Sequence, residues 1–85
     1  VLDDIQAESH LVMKNLKAVL AAAGMDFENV VKTSIFLKDM DNFQAVNSVY
    51  SEYFSEDTAP ARETVQVAKL PKDVNVEISM VAIKA

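Results

Sequence analysis

An 85-residue chain that is 51% hydrophobic, with one glycine and two prolines, is too apolar for a linker or a disordered tail, and too short to bury a large core. Its net charge of −5 repels a phosphate backbone, and no basic cluster interleaved with aromatics offsets that repulsion, so nucleic acid is not an expected partner. The absence of cysteine excludes a disulfide framework and thiolate chemistry, and no apolar run reaches the length of a membrane span, so no membrane partner is expected and a cytoplasmic setting is.

The first predicted element is a helix over 4–23. Ile5, Val12, Leu16, Val19, Leu20 and Ala23 recur at helical spacing, and Gly24 follows where helices commonly end in a left-handed residue. His10, the only histidine, lies mid-helix with no second imidazole or carboxylate set beside it, so it reads as a solvated side chain and not as a metal ligand or triad base. The run over 30–38 (Val30, Val31, Lys32, Thr33, Ser34, Ile35, Phe36, Leu37, Lys38) has the β-branched and aromatic composition of a largely buried strand. Asp41 then caps a second helix, with Gln44 completing a capping-box pattern, and Phe43, Val46, Tyr50, Tyr53 and Phe54 form a stripe read as core. A loop leads to a strand over 62–68. Leu70-Pro71-Lys72-Asp73 turns into a last strand over 74–83, and these two strands read as a hairpin. The order helix, strand, helix, strand, strand predicts an α+β fold in one domain over 1–85, with both helices covering one face of a mixed sheet.

Candidate chemistry concentrates on the last two strands. Arg62 is the only arginine; the seven lysines are scattered and fit solvated faces. A guanidinium keeps its charge at any physiological pH and presents a planar fork that matches a carboxylate, which lysine does not. Strand alternation puts Arg62 and Thr64 on one face with Val65 and Val67 opposite, and puts Asn75, Glu77 and Ser79 on one face of the last strand against Val74, Val76, Ile78 and Met80. Gly24 stands alone, so no phosphate-cradling glycine loop is present.

Pro60-Ala61-Arg62, then Val65, Ala68, Leu70-Pro71 and Val76-Glu77-Ile78, resembles the C-terminal signature of the RidA (YjgF) family of enamine/imine deaminases. Upstream, Asn15-Leu16, Ala22-Ala23-Gly24, Val30-Val31-Lys32-Thr33, Phe36-Leu37, Met40, and Phe43 with Val46-Asn47, Tyr50 and Tyr53-Phe54 agree in the family's order. The resemblance implies an α+β fold similar to trimeric bacterial chorismate mutase and a homotrimer with ligand clefts between subunits. It implies hydrolysis of 2-aminoacrylate- and 2-iminobutanoate-type enamines and imines to 2-keto acids and ammonia, with no metal or cofactor. It further implies Arg62 as the catalytic carboxylate clamp, Thr64 as a substrate contact through its backbone, and Asn47 at the cleft.

Two positions depart from the family pattern. Many members carry Glu-Ile-Glu in the final strand, where this chain has Glu77-Ile78-Ser79, leaving Ser79 to hold the water and Glu77, on the same face, in a displaced role. Glu63 stands where the family has a small residue and adds a negative charge beside the clamp. Ser79 and Glu63 make a non-catalytic carboxylate-binding module the alternative reading. A ribonuclease or translation-inhibitor role, also attached to the family, is disfavoured by the acidic charge and the single histidine. Family members begin with a further segment that supplies strands and cleft residues, so the resemblance covers the C-terminal part of the family domain.

Overall fold

The structure, a computed structural model, describes residues 4–55, 57 and 59–84. Its elements are α1 (Ile5–Ala22), β1 (Val30–Leu37), α2 (Phe43–Ser51), β2 (Ala61–Gln66) and β3 (Val76–Ala82). They form an α+β arrangement of two helices and a three-stranded mixed sheet in the order β2-β1-β3.

The most buried strand occupies the centre. β1 pairs with β2 in parallel, Thr33 opposite Arg62 and Ile35 opposite Thr64, and with β3 in antiparallel, Ile35 opposite Ile78 and Leu37 opposite Val76. The last two strands are therefore not the hairpin that the short turn between them suggested. A hairpin would leave β1 at the edge of this three-stranded sheet, with one side of its backbone unpaired. The observed order satisfies the backbone of β1 on both sides and leaves the polar strand at the rim. A parallel pair needs a crossover element, and α2 supplies it. The Leu70–Asp73 segment instead carries the chain from one side of β1 to the other. It uses left-handed backbone at Lys72 (φ 57°) and Asp73 (φ 55°), and is tied to the end of β1 by Lys38 N to Asn75 O (3.1 Å) and Lys38 Nζ to Asp73 Oδ1 (2.8 Å).

Asp4 caps α1, its carboxylate accepting from Gln6 N (2.9 Å) and Ala7 N (3.3 Å). Gly24, with φ of 75°, ends the helix, as the expected left-handed position required. A Cβ added there would come within 2.8 Å of Lys84 Nζ. The buried seam of α1 keeps Ile5, Val12, Leu16 and Leu20 of the predicted stripe, adds Met13 (0% exposed) and Ser9, and leaves Val19 (67%) and Ala23 facing solvent. Ser9 is accommodated because its hydroxyl donates to Ile5 O (2.8 Å).

The second helix also begins differently from the prediction. Asp39, not Asp41, accepts from a turn amide (Asp41 N, 2.9 Å). Residues Met40–Asn42 form a 3₁₀ turn, and α2 starts at Phe43 without a side-chain cap. The Asp41–Gln44 box is not made: the Asp41 amide that Gln44 would accept from is bonded to Asp39 Oδ1, and the helix starts at Phe43 with Asn42 at its N-cap. His10 is likewise not simply solvated: its Nδ1 lies 2.9 Å from the Tyr53 hydroxyl and its Nε2 3.9 Å from Glu52, clasping α1 to the end of α2.

Both helices lie on one face of the sheet, over Thr33, Ile35, Leu37, Val76 and Ile78. The opposite face carries Ser34, Phe36, Glu63, Val65, Glu77, Ser79 and Val81 by alternation, with Val65 and Val81 exposed. Glu8 joins the helix layer to β3, accepting from both the backbone and the side-chain amide of Asn75 (2.9 Å each).

The corrected seam predicts opposite outcomes for two apolar truncations on one helix. Met13→Ala should lower unfolding stability by about 2–5 kcal/mol, while Val19→Ala should change it by less than about 0.5 kcal/mol, as read by urea denaturation.

Candidate functional site

The crossover brings α2 across the start of β2. Phe43, Asn47 and Tyr50 recur at helical spacing and share the face of α2 turned toward that strand. Pro60 fixes the backbone entering β2, and Arg62 follows on the helix-facing side. The guanidinium meets all three α2 side chains. Nη1 donates to Asn47 Oδ1, and Cζ lies 5.3 Å from the Tyr50 ring centroid and 5.7 Å from that of Phe43. A cation over aromatic faces is worth about 0.5–2 kcal/mol, enough to orient an otherwise long and mobile side chain. Arg62 is solvent-exposed, so a cation is held in a fixed direction at the surface.

Below the guanidinium, the Tyr50 ring is buried and its hydroxyl donates to Thr33 Oγ1 of β1 (3.0 Å). Burial raises the Tyr50 phenol above its ordinary value, against smaller opposing pulls from the Thr33 hydrogen bond and the Arg62 charge. The phenol therefore stays protonated through the physiological range and acts as a neutral donor. Thr64 lies on the same face, in register with Ile35. Its Oγ1 is buried and has no hydrogen-bond partner among the described residues.

A recess of about 540 Å³ opens beside Arg62, walled by Asn47, Tyr50, Ser51, Phe54 and Pro60. It adjoins the only arginine in the chain and gives the guanidinium a concave neighbourhood.

Of the residues singled out in the sequence, Arg62 and Asn47 are in contact and Thr64 shares their face. Glu77 and Ser79 belong to the other side of the sheet, Ser79 in the row Glu63–Ser34–Ser79 and Glu77 in the row Val65–Phe36–Glu77. Glu63 also points away from the guanidinium that it neighbours in sequence, and its carboxylate lies 3.5 Å from Lys32 Nζ. The charge next to Arg62 in sequence is thus paired on the opposite face.

Sequence reasoning took Phe43 and Tyr50 as core and missed their second role under Arg62. The signal was present: Phe43, Asn47 and Tyr50 at spacings of four and three place an amide between two aromatic rings, and a helix between parallel strands must lie over the second strand's start. Among the described residues, no group of three or more histidine, cysteine or acidic side chains is placed to hold a metal ion, and no helix is long and apolar enough to cross a membrane.

The family model described as Endoribonuclease L-PSP matches residues 1–84. The chain is 56% identical over 80 residues to the RutC family protein slr0709 of Synechocystis sp., covering 94% of this chain and 62% of the relative. It is 42% identical over 86 residues to the 2-iminobutanoate/2-iminopropanoate deaminase of Salmonella typhimurium, covering 99% and 67%. Among solved structures, the YjgF gene product of E. coli superimposes with a TM-score of 0.91 at 41% identity, covering all of this chain and 68% of that one. The chain thus spans 62% to 68% of the length of these relatives.

Two threonines on the helix-facing side should respond differently to loss of the hydroxyl. Thr33→Val strands the buried Tyr50 phenol and should cost about 1–3 kcal/mol, whereas Thr64→Val removes an unpaired hydroxyl and should be neutral or stabilising. Denaturant unfolding of both variants measures the contrast.

Proposed function

The chain belongs to the Endoribonuclease L-PSP family, which includes the RidA (YjgF) proteins it resembles, and from that premise we propose that it hydrolyses 2-imino and 2-enamino acids to 2-keto acids and ammonia. The observation that carries the reading is Arg62, held by Asn47, Phe43 and Tyr50 at the edge of a recess. A 2-imino acid has a carboxylate next to its C=N carbon. A bidentate guanidinium that fixes the carboxylate also fixes that carbon for attack by water.

The chemistry asks little more of the protein. Water adds to the imine carbon, a carbinolamine forms, the C–N bond breaks as nitrogen gains protons, and ammonia leaves a 2-keto acid with no change in redox state. Enamines enter by tautomerising to the imine. Such species hydrolyse readily in water, so positioning alone supplies a useful acceleration. Arg62 is the clamp, Asn47 holds the clamp in direction, and the backbone at Thr64 lines the same face of β2.

Ser79 and Glu77 enter this reading through assembly. They lie on the sheet face opposite Arg62, so one copy cannot bring both sets to one substrate. A cleft between copies can, with Arg62 from one subunit and Ser79 or Glu77 from another holding the water. The proposal therefore includes a homotrimer of the chorismate mutase type with intersubunit clefts, in a cytoplasmic setting and without metal or cofactor. The exposed Val65 and Val81 on the helix-free face, together with the outer edge of β2, are surfaces that such assembly would cover. A carboxylate-binding module without turnover is the second reading. It is favoured by Ser79, a poor acid or base where many relatives carry glutamate, and would show as saturable 2-ketobutyrate binding without catalysis.

The deaminase reading is tested by keto acid release from imino acids generated in situ by an amino-acid oxidase. Arg62→Ala should lower kcat/KM by about 100-fold or more, with Arg62→Lys intermediate because it keeps the charge and loses the fork. An unchanged rate in Arg62→Ala, with the assembly intact by light scattering, contradicts it.

A further inference from the structure

The lining of the recess beside Arg62 combines a polar and an aromatic part. The guanidinium and the Asn47 amide are the polar part. Tyr50, whose buried ring lies under the guanidinium, and Phe54, four residues on with its ring centroid 4.8 Å from that of Tyr50, are the aromatic part, which continues from beneath Arg62 to Phe54. Phe54 is backed by Phe27 at 5.2 Å, which holds its ring in place. Pro60 and Ser51, the latter exposed at the last residue of α2, also line it. Among the described residues that line the recess, Arg62 is the only charged one.

That arrangement selects a ligand with one carboxylate and an uncharged apolar body. At about 540 Å³ the recess lies within the usual range for small-molecule sites. A three-carbon acid anchored on Arg62 leaves Phe54 uncovered, whereas a branched or aromatic side chain reaches toward it. Each methylene moved from water onto such a ring is worth about fourfold in affinity.

We propose that this recess is a side-chain subsite and that the protein prefers 2-imino acids with bulky apolar or aromatic side chains over the shortest ones. The inference rests on the deaminase reading and names its substrate class. Tyr50 and Phe54 supply the contact, and Ser51 lines the same recess.

The test compares imines generated in situ from alanine, 2-aminobutyrate, leucine and phenylalanine, in the unsubstituted protein and in Ser51→Leu, which narrows the recess from an exposed position. The expected result is a kcat/KM at least about tenfold higher for the leucine- and phenylalanine-derived imines than for the alanine-derived one, with that ratio falling toward one in Ser51→Leu. A flat series, or a ratio that Ser51→Leu leaves intact, overturns the subsite. If no imine is turned over, the deaminase reading fails separately, and the subsite is then read by NMR titration with pyruvate, 4-methyl-2-oxopentanoate and phenylpyruvate. Tighter binding of the larger acids, with shifts at Ser51 and Phe54, supports it. Equal affinities, or shifts elsewhere, overturn it.

Discussion

The parallel pairing of β2 with β1 is the constraint on which the site depends. It requires a crossover, the crossover is α2, and the register that sets Thr33 opposite Arg62 brings the guanidinium under the face of α2 that carries Phe43, Asn47 and Tyr50. Had β2 paired with β3 instead, Arg62 would lie away from those side chains. The burial of β1 fits that order, since its backbone is paired on both sides only at the centre of the sheet. A feature of the core thus decides where the surface cation points.

The site built on this frame is economical in chemistry. Tyr50 acts in three directions: its ring faces Arg62, its edge meets Phe54, and its hydroxyl reaches Thr33. Because burial keeps the phenol protonated, these contacts persist across the pH range in which the protein would work. The guanidinium is exposed, which limits what its contacts contribute to stability but leaves it able to meet a ligand. Orientation, more than strength, is what Asn47 and the two rings add. The same frame leaves Ser79 and Glu77 on the far face of the sheet.

Much of this was legible in the sequence, and the gaps have physical causes. Periodicity found both helices and all three strands, because a 3.6-residue or two-residue repeat is a local property. It placed Ile5, Val12, Leu16 and Leu20 of α1 correctly against the core but missed Met13 and Ser9 and included the exposed Val19, because hydropathy alone does not fix where the border of a helical stripe falls. The hairpin reading failed for a related reason: a short turn between two strands records chain proximity, while pairing is decided by which strand most needs burial on both edges. His10 and Glu63 were read from their neighbours in sequence. Their partners, Tyr53 and Lys32, are set by tertiary contacts. Arg62 stood out as a lone arginine at a proline-fixed strand entry, but composition alone fits a structural ion pair equally, and its part as a clamp came from the family resemblance. The aromatic pair that holds it was hidden in a stripe that also packs the core.

The central claim is that Arg62 is a preset carboxylate clamp. Since the chain has a single arginine, its guanidinium gives one unambiguous set of side-chain nitrogen resonances. Titration with 2-ketobutyrate, followed by nitrogen-15 NMR of that guanidinium, should produce a saturable shift and slowed rotation about Nε–Cζ, and neither should appear with 2-butanone, which lacks the carboxylate. Saturable binding elsewhere on the protein with the Arg62 resonances unmoved would contradict the account.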